Sequence, residues 1–340
     1  MQSPAQLIGS SSSFLDAVER ASAVAALNRP VLVIGERGTG KELIAERLHR
    51  LSPRWGGPLV SINCAALPET LIDAELFGYE AGAFTGAQRA RAGRFEDADG
   101  GTLFLDEIAT LSAAAQERLL RVVEYGELTR IGSSRPVRVD VRLVGATNED
   151  LPGLVRAGRF RADLLDRLSF EVVTLPPLRA RAEDVAALAE HFGRRMASEL
   201  GWQRFPGFSR AALAAIEAHD WPGNVRELKN VIERSLYRWG DDAAPVERIV
   251  IDAFESPWRV KLGQAPARQE ATAIDRLAAP APEPGDFRAA VMAYERGLLL
   301  AGLENHRHNQ RRAARALRLS YDQLRHAMKR HGLLGTEAGG

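Results

Sequence analysis

Five short apolar runs alternate with segments of helical periodicity in the N-terminal half of the chain. The runs are Val31–Ile34, Leu59–Ile62, Leu103–Leu105, Arg142–Ala146 and Phe170–Leu175. Short apolar runs bounded by glycine or polar residues are typical of buried strands, and their alternation with helices predicts a parallel sheet covered on both faces. We therefore expect an α/β domain over residues 1–175, with its ligand at the carboxyl ends of the strands.

Helical periodicity also flanks this sheet region. Ahead of the first strand, a helix is predicted from the spacing of its apolar residues, Phe14, Leu15, Val18, Ala21, Val24 and Leu27. Residues 176–247 predict a helical lid, with one helix over residues 183–200, a second capped by Ser209 and a third that begins at Asn224. A hinged lid of this kind can change its angle with the state of a bound ligand.

The C-terminal part of the chain predicts a linker and a small all-α domain. Residues 248–285 contain many Ala and Pro residues and are assigned to the linker. Within residues 286–334, two helices over residues 309–317 and 321–331 are parted by a short turn, which is the spacing of a helix-turn-helix. Their apolar residues can form one small core: Ala313, Ala314, Leu317, Leu319, Leu324, Met328 and Leu333.

Composition excludes some classes of protein and permits others. The 340 residues carry 45 Lys and Arg against 44 Asp and Glu, which argues against an overall basic nucleic-acid binder but permits a locally basic one. The single cysteine, Cys64, cannot form an internal disulfide and suits a reducing cytoplasm. No apolar run is long enough to insert into a membrane, and the N-terminus lacks an export signal, so we expect a cytoplasmic protein.

The positive charge is concentrated in the predicted helix-turn-helix. Residues 306–334 hold eight Lys or Arg residues and one acid, Asp322. We expect phosphate contacts from Arg311, Arg312 and Arg315, and contacts in the major groove from Tyr321, Gln323, Arg325, His326 and Lys329. The alternative is a solvated basic helical hairpin with no nucleic-acid partner.

A phosphate-binding loop is indicated directly after the first strand. Gly35, four residues, Gly40 and Lys41 give most of the pattern G-x-x-x-x-G-K-[ST], in which backbone N–H groups surround a polyphosphate at the start of a helix, here residues 42–51. The candidate nucleotide contacts are Gly35, Glu36, Arg37, Gly38, Thr39, Gly40, Lys41 and Glu42. Glu42 departs from the pattern, since a carboxylate cannot simply replace the hydroxyl on Mg²⁺. The alternative is a plain glycine turn.

Two carboxylates follow the third strand, at Asp106 and Glu107. Beside a phosphate loop, such a pair is the other half of a site that hydrolyses nucleoside triphosphates, with one acid serving Mg²⁺ through water and the other polarising the attacking water. The two motifs together therefore predict ATP chemistry.

Two further stretches point to protein partners. The segment from Leu76 to Ala87 has glycines at positions 78, 82 and 86, which weaken a helix, and an aromatic residue, Phe84, which predicts a mobile loop with an apolar tip. Trp55 lies in the turn-rich segment PRWGGP, where it can either cap the core or serve as an exposed docking point.

These motifs resemble those of the bacterial enhancer-binding proteins, the AAA+ ATPases that activate sigma-54 RNA polymerase. The resemblance rests on GAFTGA at Gly82–Ala87, the phosphate loop ending in Lys41-Glu42, FRADLLDRL from Phe160, TLPPLRAR from Thr174 and WPGNVREL from Trp221. It covers residues 7–240 and implies an AAA+ P-loop core with a helical lid. The C-terminal segment resembles the Fis-type DNA-binding domain of the same family.

The resemblance also implies roles for individual residues. It implies that Lys41 and the loop amides bind ATP, Asp106 serves Mg²⁺ and Glu107 activates water. Asn63 matches a switch residue that holds the glutamate back, and Asn148 and Arg226 match sensor residues near the γ-phosphate. The sigma-54 contacts would be Gly82, Ala83, Phe84, Thr85, Gly86 and Ala87.

Arg161 and Arg167 match positions that reach into the neighbouring subunit's site, which implies a ring, expected to be a hexamer. The alternative is ordinary salt bridging with the neighbouring Asp163 and Asp166, of which Asp163 lies at the helical i, i+4 spacing from Arg167.

The sequence thus predicts an activator that binds enhancer DNA and remodels the closed sigma-54 polymerase holoenzyme with ATP. Because no sensing domain precedes the ATPase, we expect control in trans, as in the phage-shock-type subfamily, where Trp55 matches the docking residue for an inhibitory protein. The alternatives are an AAA+ remodeller of DNA or another protein without sigma-54, and a DNA-binding regulator that uses nucleotide only to assemble.

Overall fold

The five apolar runs form one parallel sheet, as their pattern predicts. In the computed structural model, which describes residues 7–255, 287–306 and 309–333, the sheet order is β2-β3-β6-β1-β7. The remaining strands, β4 and β5, pair as a separate antiparallel hairpin. The strands are β1 (Val31–Ile34), β2 (Leu59–Asn63), β3 (Thr102–Asp106), β4 (Glu127–Thr129), β5 (Pro136–Arg138), β6 (Arg142–Thr147) and β7 (Glu171–Thr174).

Helices cover both faces of the sheet. Successive residues of β3 point to opposite faces, so Leu103 and Leu105 enter one buried cluster and Phe104 the other. The helices of this region are α1 (Ser12–Ala25), α2 (Lys41–Arg50), α3 (Glu69–Phe77), α4 (Arg94–Asp97), α5 (Ala113–Tyr125), α6 (Leu151–Arg156) and α7 (Ala162–Leu168). Helices α1 and α2 pack on the Phe104 side.

The prediction of which residues of the first helix are buried is partly wrong. Phe14, Ala21 and Val24 are buried, but Leu15 and Leu27 are about half exposed. Leu15 follows Phe14 by one position and therefore lies about a quarter-turn away from the buried face. Leu27 lies beyond the end of α1 at Ala25.

The last strand is shorter than the apolar run predicts. Phe170 is half exposed, precedes β7, and lies under the Arg29 guanidinium at 5.6 Å.

Helix α5 and the β4–β5 hairpin were not predicted from the sequence. The helix has readable signals, since Ser112 caps its first turn and Gly126 ends it with a positive φ.

One buried arginine joins the first two helices to the sheet. Arg142 begins β6 and is almost fully buried. Its guanidinium donates to the carbonyl oxygens of Ala25 (2.7 Å), Val24 (3.1 Å), Arg29 (3.3 Å) and Leu48 (3.4 Å). These oxygens include those of Val24 and Ala25 at the C-terminus of α1, so the arginine acts as a cap.

The lid consists of α8 (Glu183–Glu199), α9 (Arg210–Glu217) and α10 (Asn224–Trp239), which share one apolar core with Trp221. Ser209 caps α9 through the amide of Ala212, as predicted. Val250 is buried and its amide donates to Ser235 in α10, so the first residues of the predicted linker pack on the lid. Linker residues 256–285 lie outside the described part of the chain.

A buried ion pair ties the start of the chain to the lid. The Asp184 carboxylate accepts from the amides of Ser10 (2.6 Å) and Ser11 (3.0 Å), from the Ser11 hydroxyl (2.8 Å) and from Arg181 (2.9 Å). Burial raises the pKa of Asp184, but the hydrogen bonds from Ser10 and Ser11 and the charge of Arg181 outweigh it and hold the pKa below its usual range. Arg181 also covers the Phe14 ring at 3.9 Å.

The second unit, residues 257–340, contains α11 (Phe287–Asn305), α12 (Gln310–Ala316) and α13 (Tyr321–Arg330). All seven predicted core residues pack together, with Leu299 and Leu303 of α11 added to them. The helix-turn-helix geometry is therefore confirmed. Across the described residues of both units, no helix is long and apolar enough to span a membrane.

Candidate functional site

The phosphate loop has the backbone shape of an anion site. Gly38 and Gly40 adopt positive φ angles of 79° and 96°, and α2 starts directly at Lys41. The Lys41 ammonium donates to the carbonyl oxygens of Gly35 (2.9 Å) and Glu36 (3.3 Å), so it lies across the loop. Burial lowers the pKa of Lys41, against the charges of Glu107 and Asp106, which raise it.

A cavity of about 540 Å³ brings most of the predicted site residues together. Those that line it are Arg37, Gly38, Gly40, Lys41, Glu42, Asn63, Asp106, Glu107 and Arg226. They come from the loop after β1, the ends of β2 and β3, and the first turn of α10. The walls therefore combine cations with carboxylates, which suits a phosphate chain and an oxygen-preferring cation.

The Asn63 side chain, predicted to restrain Glu107, bonds Asp106. Asn63 pairs in register with Asp106, and its side-chain amide donates to the Asp106 carboxylate at 3.0 Å. Glu107 itself adopts a left-handed backbone with φ 54°, and within the described residues no hydrogen bond joins its carboxylate to Asn63.

Asn148 contacts Glu107 instead. With its nitrogen turned to the carboxylate, the Asn148 amide donates to Glu107 Oε2 at 2.7 Å, an orientation assigned from hydrogen bonding. Arg37 Nε lies 4.0 Å from the same carboxylate. Asn148 directly follows β6, so the order of the strands brings the sensor position to the acid.

The Glu36 side chain does not face the cavity, contrary to its prediction as a nucleotide contact. Its carboxylate binds both Arg179 nitrogens, at 2.5 and 2.8 Å, and accepts from the Asn224 amide at 3.1 Å. The Arg179 guanidinium, with help from Asn224, lowers the pKa of Glu36 to about 2. Thr39 also turns inward, donating to the Glu36 carbonyl at 2.8 Å.

A second, smaller cavity of about 150 Å³ adjoins the phosphate loop. Its walls are mainly apolar and include Leu7, Ile8, Leu43, Phe192 and Val225. Sequence reasoning did not find it, because its walls come from the N-terminal segment, α2 and two lid helices. Nothing in the spacing of single residues indicates such a convergence.

Arg161 and Arg167, which were predicted to reach a neighbouring subunit, are exposed. Neither forms its ion pair at the helical i, i+4 spacing. Arg161 precedes α7 and pairs with Asp163 at 2.7 Å, and Arg167 pairs with Glu124 of α5 at 2.9 Å. No pair between either arginine and Asp166 occurs in the described part of the chain. The salt bridges of the alternative interpretation therefore exist, but for Arg167 the partner was not the predicted one.

The GAFTGA loop, residues 78–93, is closed at its neck and exposed at its tip. Tyr79 and Arg91 exchange two backbone hydrogen bonds of 3.0 and 2.8 Å, and Glu80 accepts from Arg130 at 3.1 Å. At the tip, Phe84 is 43% exposed and its ring contacts Tyr79 edge-on at 5.0 Å. Positive φ angles at Gly82 (83°) and Gly86 (101°) make this tight turn.

Trp55 is 72% exposed, which excludes the core-capping alternative. It borders a groove of about 580 Å³ with Leu27, Arg54 and Asp140. Arg54 and Asp140 form an ion pair in this groove.

Cys64, by contrast, is buried, and burial raises the pKa of its thiol to about 12, in line with a packing role.

All eight predicted DNA contacts are exposed on the second unit: Arg311, Arg312, Arg315, Tyr321, Gln323, Arg325, His326 and Lys329. The Gln323 oxygen accepts from the Ser320 amide at 2.9 Å in a capping box, and its NH₂ group remains available to donate to a base. Tyr321 donates to Gln310 at 3.3 Å and so links α13 to α12.

Comparisons with known proteins agree with this arrangement. Residues 7–174 match the family described as Sigma-54 interaction domain, residues 179–249 the AAA+ ATPase lid domain, and residues 293–331 Bacterial regulatory protein, Fis family. Among solved structures, NtrX from Brucella abortus in complex with ATP matches with a TM-score of 0.67 and 30% identity, over 96% of this chain and 70% of that chain.

The chain is also similar to curated activators. It is 54% identical to the Psp operon transcriptional activator of Escherichia coli K12, over 96% of this chain and 97% of that protein. It is 42% identical to the anaerobic nitric oxide reductase transcription regulator NorR of Klebsiella pneumoniae, over 98% of this chain but 63% of that protein. The chain therefore belongs to the family of sigma-54-dependent transcriptional activators, with an AAA+ nucleotide-binding core and a Fis-type DNA-binding domain.

Proposed function

We propose that this activator hydrolyses ATP in a ring and uses the energy to remodel the closed sigma-54 polymerase complex at enhancer-linked promoters. The observation that carries the proposal is the cavity in which Lys41, Asp106, Glu107 and Arg226 meet. A site that only bound nucleotide would have no need of a carboxylate held in a left-handed backbone at its edge.

The chain's own residues supply binding and proton transfer. The loop amides and Lys41 would hold the phosphates, as the Lys41 ammonium exchanges its contacts with loop carbonyls for phosphate oxygens. The smaller apolar cavity beside Leu43 would take the nucleobase. Glu107 would accept a proton from the attacking water once its bond to Asn148 is released.

The donor set also fits Mg²⁺. The Asp106 carboxylate lines the cavity, and within the described residues no three acidic, His or Cys side chains converge as a protein-only metal cage. Mg²⁺ typically uses one or two carboxylates together with substrate phosphates, and when bound it neutralises charge on the phosphoryl group. Asp106 is held for this task by the Asn63 amide.

Hydrolysis is proposed to need a neighbouring subunit. Arg161 and Arg167 are exposed and point to carboxylates rather than to the cavity of their own chain. An arginine supplied in trans stabilises the charge of the transferring phosphoryl group. A ring, expected to be a hexamer, would therefore be the active form.

The GAFTGA loop is the proposed moving contact with sigma-54, since its aromatic tip is exposed and its neck is fixed. The deciding experiment replaces Thr85 by Ala. We expect ATP hydrolysis within about two-fold of the parent, and loss of sigma-54 binding when a transition-state mimic of ATP is present. Retained binding would favour a remodeller that acts without sigma-54. Equal ATP turnover by the parent and Glu107→Gln would favour a nucleotide-assembled regulator.

Control by a phage-shock-type inhibitory protein is proposed at Trp55. Its exposure beside a groove, and the similarity to the Psp operon activator, support this assignment. We expect Trp55→Ala to keep basal ATPase activity but to lose inhibition by the partner from the same organism. Unchanged inhibition of the variant would remove Trp55 from the docking surface.

A further inference from the structure

Asn224 lies where the phosphate loop, the lid and the hinge meet, the hinge being residues 175–182, which join β7 to α8. It is fully buried and has a left-handed backbone with φ 53°. Its side-chain oxygen accepts from the Leu178 amide at 2.7 Å, and its nitrogen donates to Glu36 Oε2 at 3.1 Å and to the Arg37 carbonyl at 3.0 Å. One amide thus bonds three segments that are far apart in sequence.

Glu36 forms the other half of this junction. It belongs to the phosphate loop, but its carboxylate leaves the cavity and is shared between Asn224 and the hinge residue Arg179. The Arg179 guanidinium keeps the Glu36 pKa near 2, so the carboxylate is ionised throughout the physiological range.

The backbones at this junction are in direct contact. The Arg226 amide donates to the Gly38 carbonyl at 3.3 Å, and a Cβ atom on Gly38 would lie only 2.3 Å from the Gly223 carbonyl oxygen. Residues 36–38 of the phosphate loop therefore press against the first turn of α10. Arg226, which faces the nucleotide cavity, belongs to the same turn as Asn224.

We propose that Asn224 and Glu36 form a clasp that couples the phosphate loop to the lid and places Arg226 for hydrolysis. Both side chains act as positioning groups, since neither lines the nucleotide cavity. The inference rests on the proposed ATPase function, because it assigns the route by which bound phosphates set the lid angle. Displacement of the loop by a few tenths of an ångström would be passed to the hinge through Arg179 and to α10 through Asn224.

Asn224→Asp breaks one side of the clasp and spares the other. The new carboxylate keeps the acceptor for the Leu178 amide, but it faces the Glu36 carboxylate and the Arg37 carbonyl without a donor. Like charges at this distance repel, so the loop and α10 should separate while the hinge stays bonded. Adding Glu36→Gln removes the repulsion and supplies an NH₂ donor. Asn230→Asp, on an exposed position of the same helix, is the matched control.

We expect Asn224→Asp to lower kcat at saturating ATP by about ten- to a hundred-fold, as displaced catalytic groups commonly do, with a change in KM of less than about five-fold. Glu36→Gln in the Asn224→Asp background should recover at least about five-fold of that loss. Asn230→Asp should stay within about three-fold of the parent, whereas Glu36→Gln alone, which loses the charge paired with Arg179, should lower kcat by less than Asn224→Asp does.

Lid motion gives a readout that needs no turnover. The one native cysteine is buried, so fluorophores can be attached at Glu19→Cys on α1 and Tyr237→Cys on α10. In the parent, the distance between the labels should differ between ADP and a non-hydrolysable ATP analogue. Asn224→Asp should abolish that difference, and the added Glu36→Gln should restore it.

The possible failures are distinguishable. A parent that does not hydrolyse ATP contradicts the proposed function, and the clasp is then judged from the label distances alone. Parent-like kcat and label response in Asn224→Asp overturn the clasp. An equal loss of kcat in Asn230→Asp also overturns it. The clasp is overturned as well if adding Glu36→Gln to Asn224→Asp recovers no activity while circular dichroism finds both variants folded.

Discussion

The sharpest test of hydrolysis in trans is Arg167→Ala. The Arg167 side chain is 61% exposed, and its contact is the ion pair with Glu124 at 2.9 Å. Exposed pairs of this kind contribute ~0.5 kcal/mol to stability, so the variant should unfold at nearly the parental temperature. An arginine that stabilises a transferring phosphoryl group is worth about 10³-fold or more in rate, which corresponds to roughly 4 kcal/mol. The two roles therefore differ about eight-fold in energy.

The measurements are steady-state ATP hydrolysis above the assembly concentration, binding of a fluorescent ATP analogue, and thermal unfolding. We expect turnover to fall by about 10³-fold while nucleotide affinity changes by less than about three-fold. Glu124→Gln is the matched control, because it breaks the same ion pair and leaves the arginine in place. If both variants lose activity equally, the ion pair matters and the finger does not.

Mixing two inactive variants tests the trans geometry directly. In rings of Arg167→Ala and Glu107→Gln subunits, an intact Glu107 can face an intact Arg167 across the boundary between subunits. Random assembly at equal ratio creates such interfaces at about a quarter of positions, so about a quarter of parental turnover should return. No recovery in rings shown to be mixed would refute an arginine supplied by the neighbour, as would parent-like hydrolysis by Arg167→Ala alone.

Asp184→Asn leaves the Arg181 guanidinium buried without a counter-charge, so the free energy of unfolding in urea should fall by ~3–5 kcal/mol. Ser11→Ala should cost only ~2 kcal/mol, and equal losses would show that the charge is unimportant. Folding lowers the pKa of Asp184, so the ionised carboxylate stabilises the fold fully above about pH 4. This stabilisation is lost as the pH falls through the pKa of Asp184 in the folded protein. Urea midpoints measured between about pH 7 and 3 will show the loss. Arg315→Gln should weaken binding to all DNA sequences alike and reduce the slope of log Kd against log salt by about 0.9, measured by fluorescence anisotropy. A changed sequence preference would instead make Arg315 a base contact.

The sequence predicted those parts of the site that follow directly from strand ends. Asn63 and Asp106 are the last residues of β2 and β3, and the phosphate loop and Asn148 directly follow β1 and β6, so their proximity follows from the topology of one parallel sheet. The helix-turn-helix was also predictable, because its core residues, caps and turn are close together in sequence.

The contacts within the site were less predictable. The Asn63 amide meets Asp106 and the Asn148 amide meets Glu107 because of strand order and register, and neither is encoded in a motif. Glu36 was assigned to the nucleotide because it lies inside the loop pattern, but Arg179 and Asn224 draw its side chain away. Such long-range partners become visible only when the lid is folded against the sheet.

Arg142 has a consequence for how the nucleotide-binding half responds to acid. Its partners are carbonyl oxygens, which take up no proton at the pH values that neutralise carboxylates. The hydrogen bonds of Arg142 to the first two helices therefore persist in acid, whereas those of the Asp184 carboxylate are lost when it is protonated. On acidification, we expect the segment around Ser10 and Ser11 to separate from the lid first. The sheet and its flanking helices should stay folded to lower pH.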